Sequence, residues 1–187
     1  VPAFETAARI VLVETSPRLT RVQRERLAGH EVTWLRAVDA IPAGPAIILA
    51  NEFFDALPVR QFMRSTGGWS ERCVALEGGA LAFQLRPAPD FEGPADVADG
   101  ETVEIATISG AIMSKLATRI AGDGGAILAN DYGHDGAGHG DTLQALRAHA
   151  FDPPLAHPGE ADLTVHVDFS RLADAARAAG AVPAPLM

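Results

Sequence analysis

Polar side chains stand at the ends of three short apolar runs of the chain. In chain order they are Glu14, Asn51-Glu52 and Asn130-Asp131-Tyr132. Short apolar runs bounded by turn residues are typical of buried parallel strands. The carboxyl ends of parallel strands lie at one edge of a sheet, and ligands of open α/β folds bind there. The sequence therefore predicts one site at which carboxylates and amides from three strands meet.

The position of Glu14 has two interpretations. An acid at the end of a strand accepts hydrogen bonds from a ribose diol in nucleotide-binding folds. A surface glutamate that caps the following helix would give the same pattern. Ser16 is a suitable N-cap and Pro17 a suitable first helical residue, so a helix begins here in either case.

The segment 51–58 carries an amide, two carboxylates and two adjacent aromatic side chains. Glu52 and Asp55 are three residues apart, and such a pair could bind a planar cation such as a guanidinium. The alternative is an asparagine that caps a helix, followed by two surface acids and two core phenylalanines. The residue types alone leave both interpretations open.

Histidines in the last third of the chain are weaker candidates. Residues 134–141 contain two histidines and two aspartates, but their glycine-rich sequence favours a solvated loop, and we predict no metal site. His166 and Asp168 alternate, which would place them on one face of a strand. A histidine in such a place is more often structural than catalytic. Nucleophilic hydrolysis has no support, because no GxSxG elbow is present and Cys73 has no histidine beside it.

Composition excludes several classes of protein. With 187 residues, 48% hydrophobic and 21% charged, the chain suits one domain with a core rather than a disordered polymer. The 15 basic and 24 acidic residues give a net charge of −9, which argues against a nucleic-acid partner. No apolar run approaches the ~20 residues of a membrane span. The single cysteine excludes a disulfide framework and fits a reducing compartment.

Strand and helix signals alternate around the polar residues. The predicted strands are 9–13, 32–35, 46–50, 126–129 and 164–167, and the predicted helices are 17–27, 108–120, 141–148 and 169–179. The face of the second helix should carry Ile108, Ile112, Leu116 and Ile120. This order predicts an α/β fold with a parallel sheet covered on both faces.

The middle of the chain has a different pattern. Residues 59–85 alternate between apolar and polar and contain two glycine pairs, which predicts a β-meander. Residues 86–104 contain three prolines and six acids against one arginine, which predicts a solvated acidic loop. We interpret 1–187 as a single, partial domain into which these two segments are inserted.

The sequence Asn-Glu-Phe-Phe-Asp-Ala-Leu-Pro-Val at 51–59 resembles the signature of the MidA-like family of class I S-adenosylmethionine-dependent methyltransferases. Other segments are similar to this family in the same order, at 12–17 with 23–27, 131–133, 140–149, 158–164 and 166–169. This family includes a mitochondrial arginine methyltransferase that assists the assembly of respiratory complex I. The resemblance covers nearly the whole chain.

The resemblance implies a Rossmann-like methyltransferase sheet and S-adenosyl-L-methionine as cofactor. Carried over by position, Glu14 would bind the ribose hydroxyls and Trp34 would lie near the adenine. Asn51 and Glu52 would lie beside the methyl donor, and Glu52 and Asp55 would be catalytic. The residues implied on the substrate side are Asp131, Tyr132, His166 and Asp168.

Two departures from the family pattern matter. The family has a glycine-rich turn after its first strand, and the chain carries neither that strand nor that turn. The chain also starts at Val1 and stops at Met187 after two prolines, so we expect a fragment of a sheet truncated at both ends. Asn130 stands where the family has an apolar residue, and we expect it to be strained or to change the rim of the site.

The implied function is methyl transfer to an arginine side chain of a protein substrate, for example a respiratory-complex subunit. A non-catalytic assembly factor that holds a partner through the meander and the acidic loop is the alternative. A generic nucleotide-binding domain is a third interpretation, which rests on strand order and Glu14. The expected compartment is the cytoplasm of a bacterium or the mitochondrial matrix of a eukaryote.

Overall fold

The computed structural model describes residues 2–136 and 140–187. The helices are α1 (Pro2–Ala7), α2 (Pro17–Arg26), α3 (Thr107–Asp123) and α4 (Phe169–Ala178). The strands of the first two thirds are β1 (Ile10–Val13), β2 (Val32–Leu35), β3 (Ala46–Asn51), β4 (Arg60–Ser65), β5 (Gly68–Glu77), β6 (Ala80–Pro87) and β7 (Thr102–Ile105). The remaining strands are β8 (Gly125–Asn130), β9 (Gly133–His134), β10 (Gln144–Arg147), β11 (Ala150–Asp152), β12 (Asp162–Thr164) and β13 (Val167–Asp168). The predicted α/β class is confirmed.

Two parallel strand pairs carry the predicted polar strand ends. β1 pairs with β2, and β3 pairs with β8. At its carboxyl end each pair is extended by a further backbone bond, from the N–H of Glu14 to the carbonyl of Leu35 and from the N–H of Glu52 to the carbonyl of Asn130. Within the described ranges the two pairs are not hydrogen-bonded to each other. The predicted parallel sheet therefore consists of separate pairs.

Helices α3 and α4 cover one face of the β3–β8 pair. The buried side chains of this core are Ala50, Phe54, Met113, Ala117, Val167, Leu172 and Ala176. The predicted face of α3 is confirmed at Leu116, which is buried, and at Ile112, which packs against the core, but it was wrong at Ile108, which is exposed. The buried residues of this helix are Ser109, Met113, Leu116 and Ala117. A strict four-residue spacing advances about 40° per step around a helix, so it cannot stay on one face, whereas mixed three- and four-residue spacing does.

The opposite face of the β3–β8 pair is open among the described residues. Leu49 and Leu128 face each other in the register and are 72% and 54% exposed, and Ile47 is 68% exposed. The prediction that both faces of the sheet are covered is therefore wrong for this pair. The alternation of exposed and buried residues along β3 arises because successive side chains of a strand point to opposite faces.

The middle of the chain forms a four-stranded antiparallel sheet in the order β6-β5-β4-β7. Its first three strands confirm the predicted meander. The acidic segment 86–104 is not a solvated loop, because Phe91 stacks on Phe62 with ring centroids 3.6 Å apart and Val97 is buried beside it. The end of this segment also belongs to β7. The apolar residues between its acids give the segment a second small core.

The region after β9 differs most from prediction. A hairpin of β10 and β11 replaces the helix predicted over 141–148. Its turn consists of Ala148 and His149, with φ angles of 51° and 63°. Two successive left-handed residues are the geometry of a tight hairpin turn. The strand predicted over 164–167 is split into β12 and β13, so His166 and Asp168 do not share one strand.

No helix in the described ranges is both long enough and apolar enough to cross a membrane.

Candidate active site

Glu14 follows β1 and is half-buried, and both of its carboxylate oxygens are hydrogen-bonded. One accepts from the backbone N–H of Ser16 at 2.8 Å, at the start of α2. The other accepts from the Gln23 amide at 3.1 Å. Ser16 caps α2 as predicted, by accepting from the N–H of Leu19. The carboxylate is therefore held in a fixed orientation by the first turns of α2.

Trp34 lies on β2 beside Glu14. Its indole N–H donates to Gln23 Oε1 at 3.0 Å, and the guanidinium of Arg24 lies 5.2 Å from its ring centroid. Glu14 and Trp34 both line a cavity of about 550 Å³ at the carboxyl ends of β1 and β2. The structure therefore brings together the two residues predicted for the ribose and the adenine.

These residues fit the adenosine part of S-adenosyl-L-methionine. A carboxylate oxygen can accept two hydrogen bonds, and each oxygen of Glu14 uses one within the chain, so one acceptor position on each is left for a vicinal diol. An indole offers a flat apolar surface for a purine. The cavity has space for both groups.

The end of β3 has an unusual backbone. Glu52 is a non-glycine residue with φ of 45°, a left-handed conformation that costs of order 1–3 kcal/mol. Asn51 accepts a hydrogen bond of 2.8 Å from the amide of Asn130 at the matching end of β8. Asn130 is not among the described residues with positive φ. The expected strain is therefore not at Asn130 but at Glu52.

Asp131 fixes the turn that follows Glu52. Its Oδ2 accepts from the backbone N–H groups of Phe53 and Phe54 at 3.1 and 2.8 Å. Its Oδ1 is buried and has no hydrogen-bond partner among the described residues. A buried carboxylate oxygen without a donor is unfavourable, so this atom can bind a cationic or N–H-bearing group that the described residues do not supply.

Asp55 is 5% exposed and lies in a cluster of acids. Burial and, to a smaller extent, the charges of Asp131, Asp162 and Glu52 together raise the pKa of its carboxyl group to about 6, while the N–H of Ala56 acts in the opposite direction. A carboxylate with a pKa near 6 accepts a proton efficiently at neutral pH. Asp55 thus lies within electrostatic range of both Glu52 and Asp131.

Tyr132 and His166 lie at the edge of this cluster. Residues 165–167 are held to two other segments by backbone hydrogen bonds. The N–H of Val165 donates to the carbonyl of Asp55 at 3.0 Å, and the N–H of Val167 donates to the carbonyl of Tyr132 at 2.8 Å. The side chains of Tyr132 and His166 are both exposed. The structure therefore joins the Asp55 and Tyr132 segments around His166, with both polar side chains open to solvent.

The carboxylate of Asp168 makes hydrogen bonds that stabilise the start of α4. It is the N-cap of α4, with Oδ1 accepting from the N–H of Arg171 and the hydroxyl of Ser170. These bonds and the charges of His134 and Arg171 hold the pKa of its carboxyl group below the usual range, against the opposing effect of burial. A helix-capping role accounts for this carboxylate.

Prediction from sequence missed a polar network that joins the meander to the site. Buried Gln61 on β4 donates to Glu104 at 2.7 Å and to Asp141 at 2.8 Å, and Asp141 also pairs with Arg72. Glu104 accepts from Thr142, whose hydroxyl accepts from the backbone N–H of His166. Polar residues within the alternating pattern of a strand are the signal in the sequence that could have indicated this network.

The histidine-rich loop is described only in part. His139 lies outside the described residues. His134 Nδ1 lies 2.6 Å from the carbonyl oxygen of Gly136. Among the residues that the structure describes, no group of three or more histidine, cysteine or acidic side chains could hold a metal ion.

Comparison with known proteins places the chain in a family. A family model described as "Putative S-adenosyl-L-methionine-dependent methyltransferase" matches residues 1–186. Protein arginine methyltransferase NDUFAF7, mitochondrial, of Danio rerio is 38% identical over 195 aligned positions, covering 90% of this chain and 46% of that protein. The Homo sapiens protein of the same name is 39% identical over 151 positions, covering 78% of this chain and 34% of that protein. The chain thus spans about half of the length of these relatives, or less.

Two solved structures from Burkholderia thailandensis have the same fold. One, solved with S-adenosyl-homocysteine bound, has a TM-score of 0.75 and 28% identity, and the match covers 92% of this chain and 48% of that one. The other, a native structure, has a TM-score of 0.76 and 28% identity, and the match covers 92% and 50%. The chain therefore belongs to the S-adenosyl-L-methionine-dependent methyltransferase family whose MidA-like signature it carries at 51–59.

Proposed function

We propose that the protein containing this chain transfers a methyl group from S-adenosyl-L-methionine to an arginine side chain of a protein substrate. The buried Oδ1 of Asp131 carries this proposal, because it has no donor among the described residues and lies among the acids around Asp55. A guanidinium stays protonated in water and donates in a planar fork that suits several carboxylates. The relatives named as arginine methyltransferases support the same substrate class.

The cofactor site is proposed at the ends of β1 to β3. Glu14 would accept hydrogen bonds from the ribose hydroxyls, Trp34 would pack near the adenine, and Asn51 and Glu52 would lie beside the methyl group. When bound, the cofactor supplies a methyl group on a sulfonium centre. This arrangement is supported by the acceptor positions left on Glu14 and by a structural neighbour that binds S-adenosyl-homocysteine.

The substrate site is proposed at the ends of β3 and β8. Glu52, Asp55 and Asp131 would orient the guanidinium, and exposed Tyr132 and His166 would line its approach. Because Asp168 caps α4, we assign it no substrate contact. A guanidinium nitrogen attacks the methyl carbon, and a C–N bond forms as the C–S bond breaks with its electron pair on sulfur. The nitrogen loses one proton, which Glu52 or Asp55 accepts.

Positioning would supply much of the rate. In-line displacement needs the nucleophile aligned with the methyl carbon, and an oriented pair reacts far faster than free partners. The strained backbone of Glu52 and the two bonds from Phe53 and Phe54 to Asp131 fix this part of the chain. The raised pKa of Asp55 suits this carboxylate to accept a proton near neutral pH.

We also propose the domain organisation, the substrate and the compartment that belong to this activity. Residues 1–187 would form one methyltransferase-type unit into which the meander (59–85) and the acidic segment (86–104) are inserted. The substrate would be a protein such as a respiratory-complex subunit, as the resemblance to the MidA-like family implies. The compartment would be the mitochondrial matrix or a bacterial cytoplasm, and relatives named as mitochondrial support the former.

Two measurements test this function. Calorimetric titration of S-adenosylhomocysteine into the full-length protein should give binding, and Glu14→Ala should weaken it at least about tenfold. Incubation with labelled S-adenosyl-L-methionine and a cell protein extract should consume the cofactor and label arginine. Binding without any consumption would instead favour the non-catalytic assembly factor. Equal affinity of Glu14→Ala and the unchanged protein would contradict the assignment of Glu14 to the ribose.

A further inference from the structure

We propose that Gln23 is a positioning residue of the cofactor site, which fixes the Glu14 carboxylate and the Trp34 ring relative to each other. The inference rests on the proposed function, in which these two residues bind the adenosine part of the cofactor. Gln23 contacts both of them and belongs to α2, whereas Glu14 follows β1 and Trp34 lies on β2. It therefore joins three elements at one point.

The bonds of Gln23 leave its amide only one orientation. The indole N–H of Trp34 is a donor only, so the atom that meets it at 3.0 Å must be the amide oxygen. The amide nitrogen then points to Glu14, which it meets at 3.1 Å. A flipped amide would set two donors against each other at Trp34 and two acceptors against each other at Glu14. The contact to Trp34 needs an acceptor and the contact to Glu14 needs a donor, a combination that glutamine supplies and an ionised glutamate does not.

The two hydrogen bonds of Gln23 limit the freedom of both cofactor-binding side chains, Glu14 and Trp34. The Glu14 carboxylate is held at one oxygen by Ser16 and at the other by Gln23. The Trp34 ring is held at its N–H by Gln23 and on its face by Arg24. A diol and a purine joined by one glycosidic bond need their two partners at a fixed separation, so loss of Gln23 should weaken binding without removing a contact to the cofactor.

Replacement of the Gln23 amide by a carboxylate should make the affinity for the cofactor depend on pH, which a simple loss of packing would not do. In Gln23→Glu, two carboxyl groups would lie about 3 Å apart, and such a pair holds one proton between them at mildly acidic pH. The shared proton would restore the bond to Glu14. The charged side chains nearby are Arg21, Arg24 and Glu25 of α2 and Arg36 after β2. The arginines keep their charge throughout this pH range.

The experiment measures the affinity of the full-length protein for S-adenosylhomocysteine by calorimetry between pH 6 and 8. We expect Gln23→Leu to bind about tenfold more weakly at every pH. Gln23→Glu should bind weakly at pH 8 and recover most of its affinity at pH 6. The matched control is Gln84→Glu, which makes the same change in a Gln84–Glu77 pair on the hairpin of β5 and β6 and should bind like the unchanged protein.

A second readout reports the ring directly. The fluorescence that is lost in a Trp34→Phe variant is that of Trp34, and Gln23→Leu should shift this component of the emission. Unchanged affinity and emission in Gln23→Leu, with Glu14→Ala still weakened, would overturn the role of Gln23 and leave the proposed function intact. Equal weakening of Gln23→Glu at pH 6 and pH 8 would also overturn it. Unchanged affinity in Glu14→Ala would overturn the proposed cofactor site and this inference together.

Discussion

The carboxylate of Asp131 accepts a hydrogen bond of 2.8 Å from the backbone N–H of Phe54. The same oxygen accepts from Phe53 at 3.1 Å. These bonds join the end of β8 to the turn after β3, although the residues are 77 and 78 positions apart in the chain. The turn that carries Glu52 and Asp55 therefore depends on a carboxylate from the neighbouring strand.

Asp131→Ala should destabilise the protein and abolish methyl transfer. Two bonds from backbone N–H groups to a charged acceptor are lost, so the free energy of unfolding should fall by about 2–4 kcal/mol. Urea denaturation measures this change. Asp39→Ala is the control, because its ion pair with Lys115 is exposed and should contribute less than about 1 kcal/mol. Equal stability of the two variants would contradict the role of Asp131.

Asp55→Asn should alter the dependence of stability on pH. The pKa of Asp55 is about 6 in the folded protein and 3.8 as the reference value, so its contribution to stability is fully present below about pH 3.8 and is lost as the pH rises through 6. The variant has no such loss. Its stability relative to the unchanged protein should rise by up to roughly 3 kcal/mol between pH 4 and pH 7.5, as measured by urea denaturation at each pH. A constant difference across this range would contradict the raised pKa.

Glu52→Gly should stabilise the protein while it removes activity. Glycine adopts φ of 45° without the steric cost that Glu52 bears, which offsets its greater flexibility in the unfolded chain. We expect a small gain in stability, about 0.5–1 kcal/mol, together with loss of methyl transfer. A thermal melt and an assay of cofactor consumption check the two effects. A clear loss of stability would indicate that the Glu52 side chain supports the fold.

Gly133→Ala should disrupt the segment that carries His166. A Cβ at this position would lie 2.0 Å from the carbonyl oxygen of Val167, in the β9–β13 pair, and backbone atoms must then move. We expect a loss of several kcal/mol in the free energy of unfolding. Gly122→Ala on α3 is the control, since a Cβ there meets nothing within 4 Å. If both variants have the same stability, the close approach of the two strands is wrong.

Prediction from sequence succeeded where local pattern and burial agree. Ser16 and Pro17 define the start of α2, and the apolar run at 46–50 predicts β3, although one face of this strand is exposed. Polar residues at strand ends predicted the contact of Asn51 with Asn130, because strand direction fixes the edge of the β3–β8 pair at which they lie. Glu14 lies at the end of the separate β1–β2 pair, so a single site at three strand ends stays a prediction.

Prediction failed where distant residues decide the conformation. The apolar residues Phe91 and Val97 pack the acidic segment against β4. The acidic composition of the segment does not indicate this packing. The left-handed turn at Ala148 and His149 has no glycine or asparagine to signal a hairpin. The helical pattern of α2 does not distinguish Gln23 from its neighbours, and only its contacts to Glu14 and Trp34 indicate its role.

We propose that the turn after β3 directs methyl transfer to arginine. This role is tested by the amount of methylarginine that the full-length protein forms in a cell protein extract, measured by mass spectrometry after hydrolysis. Glu52→Gln should form it at least about a hundredfold more slowly than the unchanged protein, while S-adenosylhomocysteine still binds. Asp39→Asn, an equivalent change on the surface, should leave the rate unchanged. Equal methylarginine formation by Glu52→Gln, or methyl transfer to another residue type, would contradict the claim.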